Sequence, residues 1–163
     1  MNSRERVLTA LNHSEPDRLP LDFGCGKSCR FTVGAYRNML NHFNLPEKPL
    51  KISSKVSQLV IPDEELSRIL KTDVRTPHAC MIDAPGEDWE DDLNYYYRDG
   101  WGVEYRMAKD GGLYYDMIGF PLENADDDSG YVWPEMSRPN PKAFEEAKQY
   151  RANGYPVFCG EAY

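Results

Sequence analysis

The chain has 163 residues, 40% of them hydrophobic and 12% aromatic, which is enough to bury a core of ordinary size. Its formal net charge of −8 at pH 7 argues against nucleic acid or an anionic membrane as a partner, because the average field of this surface would repel either polyanion. No segment approaches the ~20 apolar residues of a membrane-spanning helix and the N-terminus lacks an apolar signal core, so we expect a cytoplasmic protein.

Four helices are predicted from capping residues and from apolar residues at helical spacing. Asn2 or Ser3 caps the first helix, and Pro141 occupies the first position of the last one. The helices are expected between Ser3 and His13, between Thr32 and Pro46, from Pro62 past Leu70, and between Asn140 and Gly154.

Three short apolar runs are predicted to be strands of a parallel sheet. They are Leu19–Phe23, Thr72–Thr76 and Tyr155–Gly160. Helices separate them, and a strand–helix–strand order is typical of parallel sheets with right-handed crossovers. The acidic run at residues 87–92 is expected to be a solvated loop.

Residues 93–120 have a different pattern, with aromatic and β-branched runs separated by Asp-Gly and Gly-Gly turns. This pattern predicts a three-stranded antiparallel meander. The expected fold class is therefore α/β, the N-terminal part of a (β/α)8 TIM barrel with an inserted antiparallel β-meander. A closed barrel typically needs roughly 250 residues, so the barrel is expected to be incomplete, with an open apolar strand edge at residues 156–160.

Four stretches carry a family resemblance. They are the opening segment Ser3 to Gly24, with Ser-Arg-Glu-Arg-Val-Leu and Glu-Pro-Asp-Arg; Thr72-Asp73-Val74-Arg75; Asp99-Gly100-Trp101-Gly102-Val103 with Tyr114-Tyr115-Asp116; and Trp133-Pro134. Together they resemble the uroporphyrinogen decarboxylase superfamily, in its branch related to methylcobamide:coenzyme M methyltransferases and other corrinoid-linked methyl transfer enzymes. The resemblance implies that residues 1–163 are the N-terminal portion of a single barrel domain.

The resemblance also implies a cleft that holds either a tetrapyrrole-type substrate or a zinc-activated thiol facing a methyl corrinoid. The family's zinc ligands, a His-x-Cys and a distant Cys, belong to later strands. We therefore expect this chain to bind no cofactor alone, and the full-length protein to use zinc and a corrinoid methyl donor. The implied partner is a corrinoid protein or a tetrapyrrole-like substrate.

One departure from the family bears on which of its two reactions is expected. True decarboxylases carry a Met-Arg-Gln-Ala-Gly-Arg-type segment after the first strand, whose arginines pair with substrate carboxylates, whereas this chain has Leu21–Gly26 there. The departure favours methyl transfer over decarboxylation. Arg30, eight residues past Asp22, is a partial substitute for the missing arginines.

In a barrel the loops that follow the strands line the active site. Those loops are expected at Asp22–Arg30, Arg75–Cys80 and Cys159–Tyr163. The predicted catalytic residues are Asp22, Arg75 and His78, and the predicted substrate contacts are Arg30, Trp101 and Tyr163. Three of these predictions have a structural alternative: Asp22 as the cap of a turn, Arg75 paired with Asp73 and a helix end, and Trp101 packed across strands.

Cys25, Cys29, His78 and Cys80 are residue types that bind zinc, and His78-Ala79-Cys80 matches the family's His-x-Cys in type although not in place. Cys25 and Cys29 lack the usual two-residue spacing of a zinc knuckle. The alternative is ordinary reduced cysteines, and no metal site is expected in this chain.

Three functions stay open at this point. The first is corrinoid-linked methyl transfer by the parent enzyme, for which the isolated chain is expected to be inactive. The second is uroporphyrinogen decarboxylation in porphyrin biosynthesis. The third is a non-catalytic module that associates with another copy through its exposed strand edge.

Overall fold

A computed structural model describes residues 1–77, 86–124, 126, 130–135 and 140–158. The chain forms two compact units. The first comprises Met1–Ser53, Leu59–Cys80 and Asn140–Tyr163, and the second comprises Ser54–Gln58 and Met81–Pro139. The assignment of the whole chain to one domain stays a prediction.

The helices predicted from the sequence are confirmed, and all of them lie in the first unit. They are α1 (Ser3–Leu11), α2 (Val33–His42), α3 (Glu64–Ile69) and α4 (Pro141–Ala152). The side chains of Asn2, Thr32, Asp63 and Asn140 each accept a hydrogen bond from a backbone N–H of the first turn. Among the described residues, no helix is long and apolar enough to cross a membrane.

A small sheet packs beside α2. Its strands are β1 (Phe31–Thr32), β2 (Ile52–Ser54) and β3 (Leu59–Val60), in the order β1–β3–β2. The core of the first unit consists of Tyr36 and Leu40 of α2 with Val60 and Leu66, all at most 3% exposed. Burial of these side chains anchors α2 and α3 to the sheet.

The predicted fold class is wrong, because both sheets of the described chain are antiparallel and neither belongs to a barrel. The predicted first strand, Leu19–Phe23, forms no strand. Pro20 has no N–H to donate, and the Leu21 N–H donates to the side chain of Asp73 at 2.9 Å instead of to a neighbouring strand.

Within their described residues, the other two predicted parallel strands meet at one isolated parallel bridge, between Arg75 and Val157. The Arg75 N–H donates to the Pro156 carbonyl at 3.4 Å, and the Phe158 N–H donates to the Arg75 carbonyl at 3.3 Å. These hydrogen bonds are long, and Pro156 cannot donate to extend the pairing. Residues 159 and 160 of the expected open edge lie outside the described residues, and association through that edge stays a prediction.

The second unit contains a four-stranded antiparallel sheet with its strands in sequence order. They are β4 (Glu87–Glu90), β5 (Asn94–Arg98), β6 (Glu104–Ala108) and β7 (Asp116–Gly119). Strands β5 to β7 lie within the predicted meander. In the second turn the positive φ lies at Gly111 (71°), the first residue of the Gly-Gly pair, whereas in the first turn it lies at Gly102 (80°), two residues after the Asp-Gly pair.

Strand β4 replaces part of the loop predicted for residues 87–92, so that prediction is wrong for residues 87–90. The acidic residues tolerate a strand because their partners lie across the ladder. Glu87 forms a salt bridge with Arg98 at 3.0 Å, and Trp89 stacks on Tyr96 with ring centroids 5.4 Å apart. Every side chain of β4 is exposed, which suits a charged strand at the sheet edge.

Candidate functional site

The Asp73 side chain is fully buried, at 0% exposure, in the middle of the first unit. Its carboxylate accepts hydrogen bonds from α1 and from the segment after it. The donors are Ser3 Oγ at 2.9 Å, Arg6 Nη1 at 2.6 Å, Arg18 Nη1 and Nη2 at 2.7 and 2.9 Å, and the Leu21 N–H at 2.9 Å. Burial alone would disfavour the ionised form, but the Leu21 N–H and the Arg18 guanidinium outweigh it and hold the pKa of Asp73 below its usual range.

Arg6 continues this network to a second carboxylate. Its Nε and Nη2 donate to Asp17 at 2.6 and 2.9 Å, and the paired charges raise the pKa of Arg6 and lower that of Asp17. The opening motif that carries the family resemblance therefore serves to hold α1 and the segment after it onto Asp73. This network was not predicted, because Asp73 lies 67 residues from Arg6 and 55 residues from Arg18 and nothing in the local sequence links them.

The turn from Asp22 to Arg30 brings several of the predicted site residues together. The Asp22 carboxylate accepts the N–H groups of Cys25 and Gly26, each at 3.1 Å, so it caps the turn as the structural alternative stated. Gly26 is packed so closely that an added Cβ would lie 2.6 Å from Asp22 Oδ2 and 3.0 Å from Cys29 Sγ. The geometry of this turn is therefore tightly specified.

Both thiols of this turn are protonated at neutral pH. Burial raises the pKa of Cys25 to about 11, against the opposing charge of Arg75. Burial also raises the pKa of Cys29, whose Sγ donates to the Gly26 carbonyl at 3.3 Å. Zinc binds the thiolate form, and within the described residues no three His, Cys, Asp or Glu side chains are grouped as ligands. These two cysteines alone do not fit a zinc ion, and His78 and Cys80 lie outside the described residues.

Arg75 is buried and committed to structural contacts. Its Nε and Nη2 donate to the two oxygens of Glu64 at 2.9 and 3.1 Å, and its Nη1 donates to the carbonyls of Thr72 and Val74. The guanidinium also lies 4.1 Å from the ring centroid of Tyr155. The structure thus pairs Arg75 with an acidic residue of the first turn of α3 rather than with Asp73, and its catalytic role stays a prediction.

Arg30 differs from Arg75 because one of its donors has no acceptor. The Arg30 Nε is buried and makes no hydrogen bond among the described residues. Burial lowers the pKa of Arg30, and the neighbouring ionisable groups of Cys25, Cys29 and Asp22 oppose this shift. A buried N–H without an acceptor costs about 1–3 kcal/mol, so an anionic ligand at this guanidinium would be stabilising.

Trp101 belongs to the second unit and is 53% exposed. Tyr131 Oη donates to the Trp101 carbonyl at 2.6 Å, and Trp133 packs edge-on against Trp101 with ring centroids 6.5 Å apart. Trp133 and Tyr131 were missed as neighbours of Trp101, because a separation of 30 residues gives no local signal. Tyr163, the remaining predicted contact, lies outside the described residues.

Of the predicted residues, the structure thus places Asp22, Cys25, Cys29 and Arg30 in one turn of the first unit. Comparisons of the chain with family models, curated proteins and solved structures found no match. The geometry of the turn, and of Arg30 above all, is therefore the basis for a functional proposal.

Proposed function

We propose that this chain is part of a cytoplasmic enzyme of the uroporphyrinogen decarboxylase superfamily that transfers a methyl group from a corrinoid donor to a small thiol. The turn from Asp22 to Arg30 contributes the contact with the acceptor's anionic end. The opening motif supports the family, and the free thiols of Cys25 and Cys29 suit a reducing compartment.

The unpartnered Nε of Arg30 is the observation that carries the proposal. Arg30 follows the turn at the place where decarboxylases have several arginines for several carboxylates. A guanidinium pairs in a fork with one carboxylate or sulfonate, so a single arginine suits a small acceptor with one anionic group. Asp22 holds the backbone of the turn through the N–H groups of Cys25 and Gly26, five and four residues before Arg30.

Methyl transfer requires a nucleophilic acceptor, which here is a thiolate. The methyl group moves as a cation equivalent to the thiolate sulfur, whose electron pair forms the new S–C bond, while the electron pair of the broken bond stays on the donor corrinoid. Zinc, if the full-length protein held it on residues other than Cys25 and Cys29 alone, would supply the thiolate form. Arg30 takes no part in bond making and orients the acceptor through its far end.

Calorimetric titration of the chain with 2-mercaptoethanesulfonate tests the contact. Arg30→Gln is expected to raise the dissociation constant about 10-fold or more, because a hydrogen bond to a charged group is lost. Arg30→Lys keeps the positive charge but cannot form two parallel hydrogen bonds, so its dissociation constant is expected to lie between those of the unaltered chain and Arg30→Gln. The matched control is Arg37→Gln, since Arg37 is exposed and forms only a surface ion pair with Glu47.

Binding that is absent, or that is unchanged in Arg30→Gln, would contradict the role of Arg30. Turnover by the complete gene product decides the reaction: methylcobalamin with a thiol acceptor is the expected substrate pair. Conversion of uroporphyrinogen to coproporphyrinogen would instead show the decarboxylase reaction and overturn the proposal.

A further inference from the structure

We infer that the second unit contains a binding site for a quaternary or fully methylated ammonium group, formed by Trp101, Tyr131 and Trp133. We call these three side chains the aromatic cage. The site has no part in the methyl-acceptor contact proposed above, and its argument rests on the second unit alone.

The rings of the aromatic cage meet at right angles. Trp133 is perpendicular to Trp101, with an interplanar angle of 84° and centroids 6.5 Å apart, and to Tyr131, with an angle of 88° and centroids 4.9 Å apart. The hydrogen bond from Tyr131 Oη to the Trp101 carbonyl, at 2.6 Å, joins the two segments that carry the rings. Because both contacts are edge-to-face, the exposed parts of the rings lie in planes at right angles, and we infer that a small cation lodged beside Trp133 contacts more than one ring.

The two tryptophans of the aromatic cage are exposed to solvent. Trp101 is 53% exposed and Trp133 is 57% exposed. Cations of the second unit already lie over three aromatic rings of its sheet: Lys55 on Tyr97 at 4.4 Å, Lys109 on Tyr95 at 5.1 Å, and Arg98 on Trp89 at 5.5 Å. In the described part of the chain no lysine or arginine lies over a ring of the cage. The exposed parts of the cage rings are therefore not already occupied by a cation of the described residues.

The charges beside the aromatic cage favour a cation. Glu87, Asp99 and Arg98 line the depression next to Trp101 and Tyr131. Asp99 is held by neutral donors, which are the N–H groups of Trp101 and Val103 and the hydroxyl of Tyr105 at 2.9 to 3.0 Å, so its negative charge is not neutralised.

Arg98 is the one cation among the described residues that line the depression, and its charge is already matched. It forms salt bridges with Glu87 at 3.0 Å and with Glu104 at 2.5 Å. Two carboxylates and one guanidinium therefore leave the depression negative, which complements a positive ligand.

The chemistry of the walls selects the methylated form of an ammonium ion. The exposed ring faces attract positive charge through their quadrupole, but they accept no strong N–H hydrogen bond. A quaternary ammonium carries its charge on methyl groups, needs no acceptor and is weakly hydrated. A primary ammonium would lose hydration at the rings and could regain hydrogen bonds only by leaving the ring faces for the neighbouring carboxylates.

Calorimetric titration with choline and with 3,3-dimethyl-1-butanol tests the site. The two molecules have the same shape, and only choline is charged. Choline is expected to bind, and the neutral analogue is expected to bind at least about fivefold more weakly, because the cation–π attraction requires the charge. Tetramethylammonium, glycine betaine and a trimethyllysine peptide then show whether a free small molecule or a modified protein is the better ligand.

Substitutions locate the binding. Trp101→Leu and Trp133→Leu are each expected to raise the dissociation constant for choline about fivefold or more, and Trp101→Phe is expected to recover part of that loss. The matched control is Trp89→Leu, because the face of Trp89 is already covered by Arg98. Circular dichroism checks that each variant folds. If a tryptophan variant does not fold, Tyr131→Phe replaces it as the test of the cage, because it keeps the ring and removes the hydrogen bond to the Trp101 carbonyl.

Absence of choline binding would overturn the inference, as would equal affinity for the neutral analogue. The inference also fails if Trp89→Leu weakens binding as much as Trp101→Leu and Trp133→Leu. None of these outcomes bears on Arg30 and the methyl acceptor, so the two proposals succeed or fail separately.

Discussion

Asp73 joins its neighbours through charge rather than through apolar packing. Arg6 and Arg18 neutralise its buried carboxylate from α1 and from the segment that follows, and Asp17 neutralises the outer side of Arg6. These residues belong to the motifs that resemble the methyltransferase branch. Their contacts show that some residues of these motifs have a structural role, which is to hold the N-terminal segment in place.

Replacing Asp73 is therefore expected to be costly. Asp73→Ala leaves the buried guanidinium of Arg6 without one of its two carboxylates, and we expect the free energy of unfolding to fall by about 3–5 kcal/mol. Urea denaturation measures the change. The control is Glu145→Ala, which removes an exposed pair with Lys148 and is expected to cost at most about 0.5 kcal/mol. Equal effects of the two substitutions would show that the network does not stabilise the fold.

At the scale of single elements, a glycine in a turn and a glycine in a helix have different effects on stability. Gly24 has a φ of +82°, and an added Cβ would lie 2.8 Å from the Phe31 ring and 3.0 Å from Pro62. Gly34 lies within α2 and has open space around it. One glycine is required by its turn, and the other weakens its helix.

The same substitution is thus expected to have opposite signs at these two positions. Gly24→Ala should lower the free energy of unfolding by about 1–3 kcal/mol, because the left-handed φ and the contact with Phe31 both oppose a side chain. Gly34→Ala should raise it by about 0.5 kcal/mol through helix propensity. Thermal unfolding followed at 222 nm measures both. A loss of stability in Gly34→Ala would contradict the packing described for α2.

At the scale of the whole molecule, the shifted pKa values of ionisable groups determine how the free energy of unfolding depends on pH. Among the described residues, five carboxylates have a pKa below the usual value: Asp17, Asp63, Glu64, Asp73 and Asp91. Their stabilisation is fully present above the unfolded pKa, 3.8 for Asp and 4.5 for Glu, and it is lost as the pH falls through the folded values. The thiol of Cys25 acts in the opposite range, because its folded pKa of about 11 exceeds the usual 9.0 and stability is lost as the pH rises.

We therefore expect the free energy of unfolding to be nearly constant between about pH 5 and pH 8 and to fall on either side. Urea denaturation at a series of pH values measures it. The acid limb should be shallower in Asp73→Asn, since that variant has one fewer carboxylate to protonate. An unfolding free energy that is the same at pH 3 and pH 7 would contradict the ionic role of these residues.

The positions of the helices were predictable because their signals act within a few residues. Asn2 reaches the Glu5 N–H and Asn140 reaches the Lys142 N–H, so each cap is visible in the local sequence. The turn at Asp22 was predictable for the same reason, including the structural alternative that Asp22 caps it.

The parallel barrel was predicted from the order of apolar runs, and that order does not specify pairing. A run such as Leu19–Phe23 has the same pattern whether it joins a ladder or lies extended against a buried carboxylate. In the structure the Leu21 N–H goes to Asp73, 52 residues away, and the ladder does not form. Strand β4 was missed for the converse reason, because its partners Tyr96 and Arg98 lie across a turn and offset its acidic composition.

The sequence by itself determined the four helices of the first unit, the turn positions and the aromatic character of the second unit, since caps, turn residues and apolar periods are local properties. Only the tertiary structure decided that Asp73 binds Arg6 and Arg18, that Arg75 pairs with Glu64, and that Arg30 keeps a buried donor unpaired. Asp73 and Arg6 are 67 residues apart, and the sequence alone does not show which of several carboxylates pairs with a given arginine. Packing in three dimensions brings one of them within hydrogen-bonding distance and leaves the others out.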